Sequence, residues 1–185
     1  MGYQRPIANL EPFKYCPWYR RRLTPARYTR YYFSWRLGNK LKIRRIDHVG
    51  VIVNNLSAAK AFFLDFGLEV QGEGEVEGEW VDQVVGLNNV KAAIVMLGMP
   101  DGQTRIELAK FYTPSDEKGI QQSFAHTLGI RHITFDVEDI EAIVAKLKKK
   151  GTEIFSEIQT YENMYKLCYI RGPEGIILEL AEQIK

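Results

Sequence analysis

Apolar and polar positions fall into two kinds of rhythm along this chain, and the two alternate in the same order twice. Residues 45–53 are rich in Val and Ile. Val49, Val51 and Val53 share one side and His48, Gly50 and Ile52 the other, the period of a strand. Asn55 then stands as a helix cap, and Leu56, Ala59, Phe63 and Phe66 recur at helical spacing until Gly67 ends the run. Extended patterning resumes over 68–76, 90–97 and 104–111, with Pro100-Asp101-Gly102 as the turn before the last of these. The second pass has a strand over 129–137, a cap at Asp139 and a helix striped by Ile140, Ile143, Val144 and Leu147. Gly151 stops that helix, and strands follow near 153–158, 165–170 and 175–181. Each pass reads β-α-β-β-β. Two stretches interrupt the plan. Residues 79–87 carry Trp80, Val81, Val84 and Val85 at helical spacing and predict a short helix, and residues 115–127 predict a helical connection between the passes.

The two passes are copies of one another. Ile46-Asp47-His48-Val49 and Ile130-Arg131-His132-Ile133 stand 84 positions apart, and the same offset carries Asn55 onto Asp139 and Gly67 onto Gly151. Near the end of each copy, Ile106-Glu107-Leu108-Ala109 is echoed 72 positions later by Leu178-Glu179-Leu180-Ala181. Each copy therefore has one His on its first strand and one Glu on its last. Alternation sets His48, Glu107, His132 and Glu179 opposite the strongly apolar faces, where they line a cleft if the copies pack about an approximate twofold axis. Two His and two Glu form a divalent-metal ligand set. A Glu between apolar strand neighbours is costly unless paired, protonated or metal-bound. Taken singly, each residue has an ordinary alternative: a hydrogen-bonded core His, or a Glu107 salt bridge to Arg105 or Lys110. His126 has no counterpart in the repeat and reads as solvent-facing. Cys168 reads as a small buried hydrophobe.

Composition sharpens the boundaries. The formal net charge of +2 hides a division, because residues 1–45 hold twelve Lys/Arg against the single acid Glu11. The remaining thirteen Lys/Arg face twenty-two acids, so the patterned part is mildly acidic and no nucleic-acid binding is expected of it. Residues 1–42 contain four of the seven prolines and two of the three tryptophans without a sustained period, and read as a basic, aromatic extension outside the fold. Such an arm has the chemistry to touch nucleic acid, but the plainer reading is a disordered segment or upstream sequence from a misassigned start. The expected fold spans 43–183, with module one over 43–112, the connection over 113–127 and module two over 128–183. Two cysteines imply no disulfide framework and fit a reducing, cytoplasmic setting. No apolar run approaches the ~18 residues needed to span a bilayer, so no membrane partner is expected.

The segments Ile46-Asp47-His48-Val49-Gly50, Arg105-Ile106-Glu107-Leu108, 130–140 and Ile177-Leu178-Glu179-Leu180 together resemble the vicinal oxygen chelate superfamily, which includes glyoxalase I, methylmalonyl-CoA epimerase and extradiol dioxygenases. The resemblance covers about 43–183. It implies an α+β fold of two tandem β-α-β-β-β modules, forming an incomplete, curved eight-stranded barrel around a metal cleft. His48, Glu107, His132 and Glu179 would hold one Zn²⁺, Ni²⁺, Co²⁺ or Mn²⁺ ion. Glu107 and Glu179 would be the catalytic acid and base, and the two His fixed ligands. The activity implied is a metal-dependent lyase or epimerase, moving a proton through the enediolate of a small thioester or hemithioacetal. A homodimer is implied as well. Two alternatives on the same fold are an Fe-dependent extradiol dioxygenase and a non-catalytic small-molecule binder. The Glu107 strand and Thr113-Pro114-Ser115-Asp116 look more like the epimerases, whereas the full His/Glu/His/Glu set looks more like bacterial glyoxalase I.

Overall fold

A computed structural model of the chain describes residues 42–185, of which Arg45–Lys185 form one compact unit. The expectation for the amino-terminal extension lies outside the described residues. Module one runs β1 (His48–Ile52), α1 (Leu56–Asp65), β2 (Glu69–Glu77), α2 (Glu79–Val85), β3 (Lys91–Gly98) and β4 (Arg105–Thr113). Module two runs β5 (His132–Asp136), α3 (Ile140–Lys149), β6 (Gln159–Tyr161), β7 (Tyr165–Arg171) and β8 (Ile177–Gln183). Each module makes its own sheet, ordered β1-β4-β3-β2 and β5-β8-β7-β6, in which the first strand lies parallel to the last and the other pairs are antiparallel. The sheets remain two separate four-stranded layers and do not close into a barrel.

Alternation decides what each sheet buries. Ile106 and Leu108 of β4, and Leu178 and Leu180 of β8, are sealed on the helix-covered faces. There they join Phe63 of α1, Ile140 and Val144 of α3, and Leu97 and Ile170 of the middle strands in one continuous core. Phe66 meets Phe135 edge-on at 5.3 Å, so aromatic packing stitches module one to module two. Glu174, on the turn before β8, accepts backbone N–H bonds from Asn54 (2.7 Å) and Asn55 (2.5 Å) at the start of α1. The opposite face of each sheet carries the His and the Glu.

The short helix read from residues 79–87 forms as α2. Val81 is its anchor, packed with Val90 and Ala92 and flanked by Val76 and Phe111. Three expectations need correction. The connection over 115–127 contains no helix. Asp116 Oδ1 accepts from Lys118 N–H (2.9 Å), Thr127 Oγ1 accepts from Phe124 N–H (3.1 Å), and Gly119 sits at φ +61°, local arrangements that displace the helical ladder. Residues 153–158 do not form a strand. They reach β7 through Arg171 N–H to Glu153 O and Phe155 N–H to Tyr169 O, both 2.9 Å, and a single bridge at Ile154; the paired strand starts at Gln159. The first strand of each module is also shorter than its apolar run: β1 pairs with β4 over the five residues His48–Ile52, and β5 pairs with β8 over the five residues His132–Asp136.

Candidate functional site

The strand registers put each His one strand away from its Glu. In module one, Gly50 faces Glu107 across the β1–β4 pair, and Met96 faces Glu107 from β3. In module two, Thr134 faces Glu179 across β5–β8, and Tyr169 faces it from β7. Both His side chains are 39 % exposed, Glu107 27 % and Glu179 16 %, so all four are reachable from solvent while standing on apolar sheets. His48 Nε2 lies 4.0 Å from Glu107 Oε2, and His132 Nε2 lies 3.4 Å from Glu179 Oε2. The same ring nitrogen thus turns toward the carboxylate in both copies.

The other ring nitrogen is backed differently in the two modules. Asp47 Oδ2 sits 3.1 Å from His48 Nδ1, and Asp47 is itself clamped by Arg105 and reached by Arg45 at 3.1 Å. The Arg105 guanidinium, followed by the His48 contact, holds the Asp47 carboxyl far below the usual carboxylate range. An ionised carboxylate only accepts hydrogen bonds, so Nδ1 of His48 is the donor to Asp47 and Nε2 is left on the side of Glu107. Module two has Arg131 at the position matching Asp47. There the Tyr169 hydroxyl lies 3.4 Å from His132 Nδ1, with the two rings 5.1 Å apart. The Thr134 hydroxyl donates to Glu179 Oε2 at 2.8 Å. Burial raises the Tyr169 phenol above its ordinary value, with the Glu179 charge adding to it, which keeps the phenol protonated.

The four residues singled out in the sequence therefore form two His–carboxylate pairs, one on the open face of each sheet. The pairs do not converge within the chain: among the described residues, no group of three or more His, Cys, Asp and Glu is placed to hold one ion. The ordinary salt bridges considered for Glu107 are absent, since Arg105 turns to Asp47 and Lys110 lies over the Tyr112 ring at 5.4 Å. His126 is exposed and stacks on Phe124 at 5.9 Å. Cys168 is buried, which pushes its thiol up. Asp47, Arg105 and Tyr169 were missed as supporting residues. Asp47 was signalled by its place beside His48, whereas Tyr169 needed the β7–β8 register.

The sequence profile of the Glyoxalase/Bleomycin resistance protein/Dioxygenase superfamily matches residues 45–180, the whole of this two-module unit but for its last strand residues. The chain belongs to this superfamily. A glyoxalase family protein from Bacillus cereus is 42 % identical, with a TM-score of 0.76 over 80 % of this chain and all of that one. The mitochondrial methylmalonyl-CoA epimerase of Mus musculus is 27 % identical over 152 residues, covering 80 % of this chain and 75 % of the epimerase. The trypanothione-dependent glyoxalase I of Leishmania major shares the superfamily fold, with a TM-score of 0.55 at 23 % identity over 76 % of this chain and 87 % of that one. Among the described residues of this superfamily member, no helix is long and apolar enough to cross a membrane.

Proposed function

We propose that this protein is a divalent-metal-dependent enzyme that moves a proton on the carbon beside a carbonyl, in the manner of glyoxalase I or methylmalonyl-CoA epimerase. The observation carrying this reading is the pair of matched His–Glu couples, each with Nε2 facing its carboxylate and Nδ1 backed by a second residue. Their chemistry fits a divalent ion: two imidazole nitrogens and two carboxylates form a mixed set acceptable to Zn²⁺, Ni²⁺, Co²⁺ or Mn²⁺. His48, Glu107, His132 and Glu179 would hold it. When bound, such an ion polarises a substrate carbonyl and acidifies the neighbouring C–H. The protein's own part is to orient the substrate over the open sheet faces and to accept the proton on a carboxylate oxygen. Return of a proton to the opposite face of the same carbon epimerises the substrate, and return to the adjacent carbon isomerises it. Small thioesters and hemithioacetals carry the acidic C–H this chemistry needs. The epimerase relative supports the thioester class.

The separation of the two couples favours a homodimer in which module one of one protomer faces module two of the other. The edge strands β1 and β5 end their sheets, and exposed apolar side chains flank the two His: Ile46 at 74 %, Ile52 at 60 % and Ile130 at 81 %. A second copy would cover those side chains and bring the four ligands to one place.

Incubation in D₂O with methylmalonyl-CoA, or with the hemithioacetal of methylglyoxal and a thiol, tests the activity. Mass spectrometry should find deuterium at the carbon beside the carbonyl, dependent on added metal and lost in Glu179→Gln. Absence of exchange with both substrates in metal-loaded protein would overturn the proton-transfer reading. Oxygen uptake with catechols and Fe²⁺ would point to the dioxygenase class instead.

A further inference from the structure

The internal repeat carries a mismatch of charge outside the His–Glu couples. In module one, two guanidiniums meet an anion of the chain itself, since Arg105 and Arg45 both donate to the Asp47 carboxylate. Module two has Arg131 where module one has Asp47, and there Arg131 and Arg171 converge on the uncharged Ser123. Arg131 Nη1 donates to Ser123 Oγ at 2.9 Å, and Arg171 Nη1 donates to the Ser123 carbonyl at 3.0 Å. Arg171 has its own acid: Glu153 accepts from its Nε at 2.9 Å, and the guanidinium lies 4.6 Å from the Phe155 ring centre. Arg131 has no acidic partner among the described residues, and its Nε is the one buried side-chain nitrogen or oxygen among them without a hydrogen bond. A guanidinium drawn out of water without a counter-charge is costly. The unused edge has a definite shape. With Nη1 engaged, Nε–H and the adjacent Nη2–H remain as a parallel pair of donors, a fork that fits two oxygens of one anion. Gly129 lies beside that edge. A Cβ at its position would stand 3.0 Å from Nη2, and its φ of +109° favours glycine.

We propose that Arg131 and Arg171, with Ser123 between them, form a binding site for a phosphate oxyanion, either inorganic phosphate or the terminal phosphate of an organic monoester. Arg131 takes two phosphate oxygens on its Nε/Nη2 edge. Arg171 keeps Nη2 for a third oxygen, because its Nε and Nη1 are engaged, and a third oxygen is what a phosphate has and a carboxylate lacks. The anion does in module two what Asp47 does in module one, neutralising a guanidinium next to the first-strand His. Ser123 belongs to the connection over 115–127, Arg131 directly precedes β5 and Arg171 ends β7, so a bound phosphate ties the connection to both strands. The site needs neither a metal ion nor proton transfer, and it stands or falls separately from the function proposed above.

Calorimetric titration of the full-length protein with inorganic phosphate and with phenyl phosphate, at constant ionic strength, tests the site through two variants. Arg131→Met removes the donor edge. Ser123→Asp supplies from within the chain the carboxylate that module one has in Asp47. Wild type should bind phosphate saturably, and each variant should lose at least about tenfold in affinity. Urea midpoints give a second readout that also reports folding. Without phosphate both variants should match or exceed wild type, because each relieves an uncompensated charge. Added phosphate should raise the midpoint of wild type and leave those of the variants in place. Roughly tenfold tighter binding of phenyl phosphate would assign the group to an organic ligand, and equal binding would make it the free ion; either result supports the site. Equal phosphate affinity in wild type and both variants, as expected of an ion resting on the Lys and Arg side chains of residues 1–45, would overturn it. So would the absence of saturable binding, or acetate binding as tightly as phosphate.

Discussion

Asp47 serves two neighbours at the mouth of the first half-site, fixing the His48 ring from one side and receiving Arg105 from the other. Its carboxyl stays ionised well into acid because Arg105 stabilises the charged form. Asp47→Asn keeps the shape but lets the amide present either a donor or an acceptor to Nδ1, so the His48 tautomer is no longer imposed. Co²⁺ titration of the variant should show affinity lowered by about 10–100-fold, while urea unfolding should barely change because the group is solvent-exposed. His48, Glu107, His132 and Glu179 were legible without a structure. Each is a polar residue set against apolar neighbours on a strand, and alternation alone assigns its face. Partners on other strands were not legible in the same way: Tyr169 lies 37 positions from His132, and the two meet because β5 and β7 both pair with β8.

The helices show the same divide at the next scale. Both caps were readable: Asn55 accepts from Ala58 N–H and Asp139 from Ala142 N–H, each at 3.0 Å. The distant acids that reinforce them were not, because Glu174 reaches α1 from the other module and Glu182 reaches Ile140 N–H from β8. Asp139 also sits at φ +56°, a region that Asp and Asn tolerate better than most residues. Asp139→Ala should therefore cost about 1–2 kcal/mol by urea denaturation, and Asp139→Asn within about 0.5 kcal/mol. Lys166, between Glu141 and Glu182, gives a pH-dependent case. Glu141 raises the Lys166 pKa, and Lys166 in turn lowers that of Glu141. The lysine's share of stability is full below its ordinary pKa and fades as pH rises through the raised one. The glutamate's share is full above its ordinary pKa and fades as pH falls through the lowered one. Lys166→Met should lose most stability near neutral pH and converge with wild type at acid and alkaline extremes, as read from urea midpoints across pH. The connection over 115–127 was misread because short polar side chains bond their own backbone there, a competition that apolar spacing does not register.

At the scale of the whole molecule, the repeat creates two complete modules but leaves each with half of the candidate ligand set. One core holds them together through α1, α3 and the buried faces of both sheets. Phe63 lies at its centre with no solvent exposure, and Phe63→Ala should cost about 3–5 kcal/mol in urea unfolding, an effect on both modules at once. That arrangement directs the two open faces away from the shared core, which is why the chain alone does not gather His48, Glu107, His132 and Glu179. If a second copy completes the site, the two modules of one chain serve two different sites. Complementation then becomes possible between variants that are each dead. A His48→Ala/Glu107→Ala protein retains module two, and a His132→Ala/Glu179→Ala protein retains module one. After co-refolding at equal amounts, about half of the dimers are mixed, and each mixed dimer has one site built entirely from intact halves and one built from damaged halves. Roughly a quarter of the wild-type sites should return, measured either as Co²⁺ absorption or as deuterium exchange. Sites formed inside one chain would return none, because every chain in the mixture carries a damaged module.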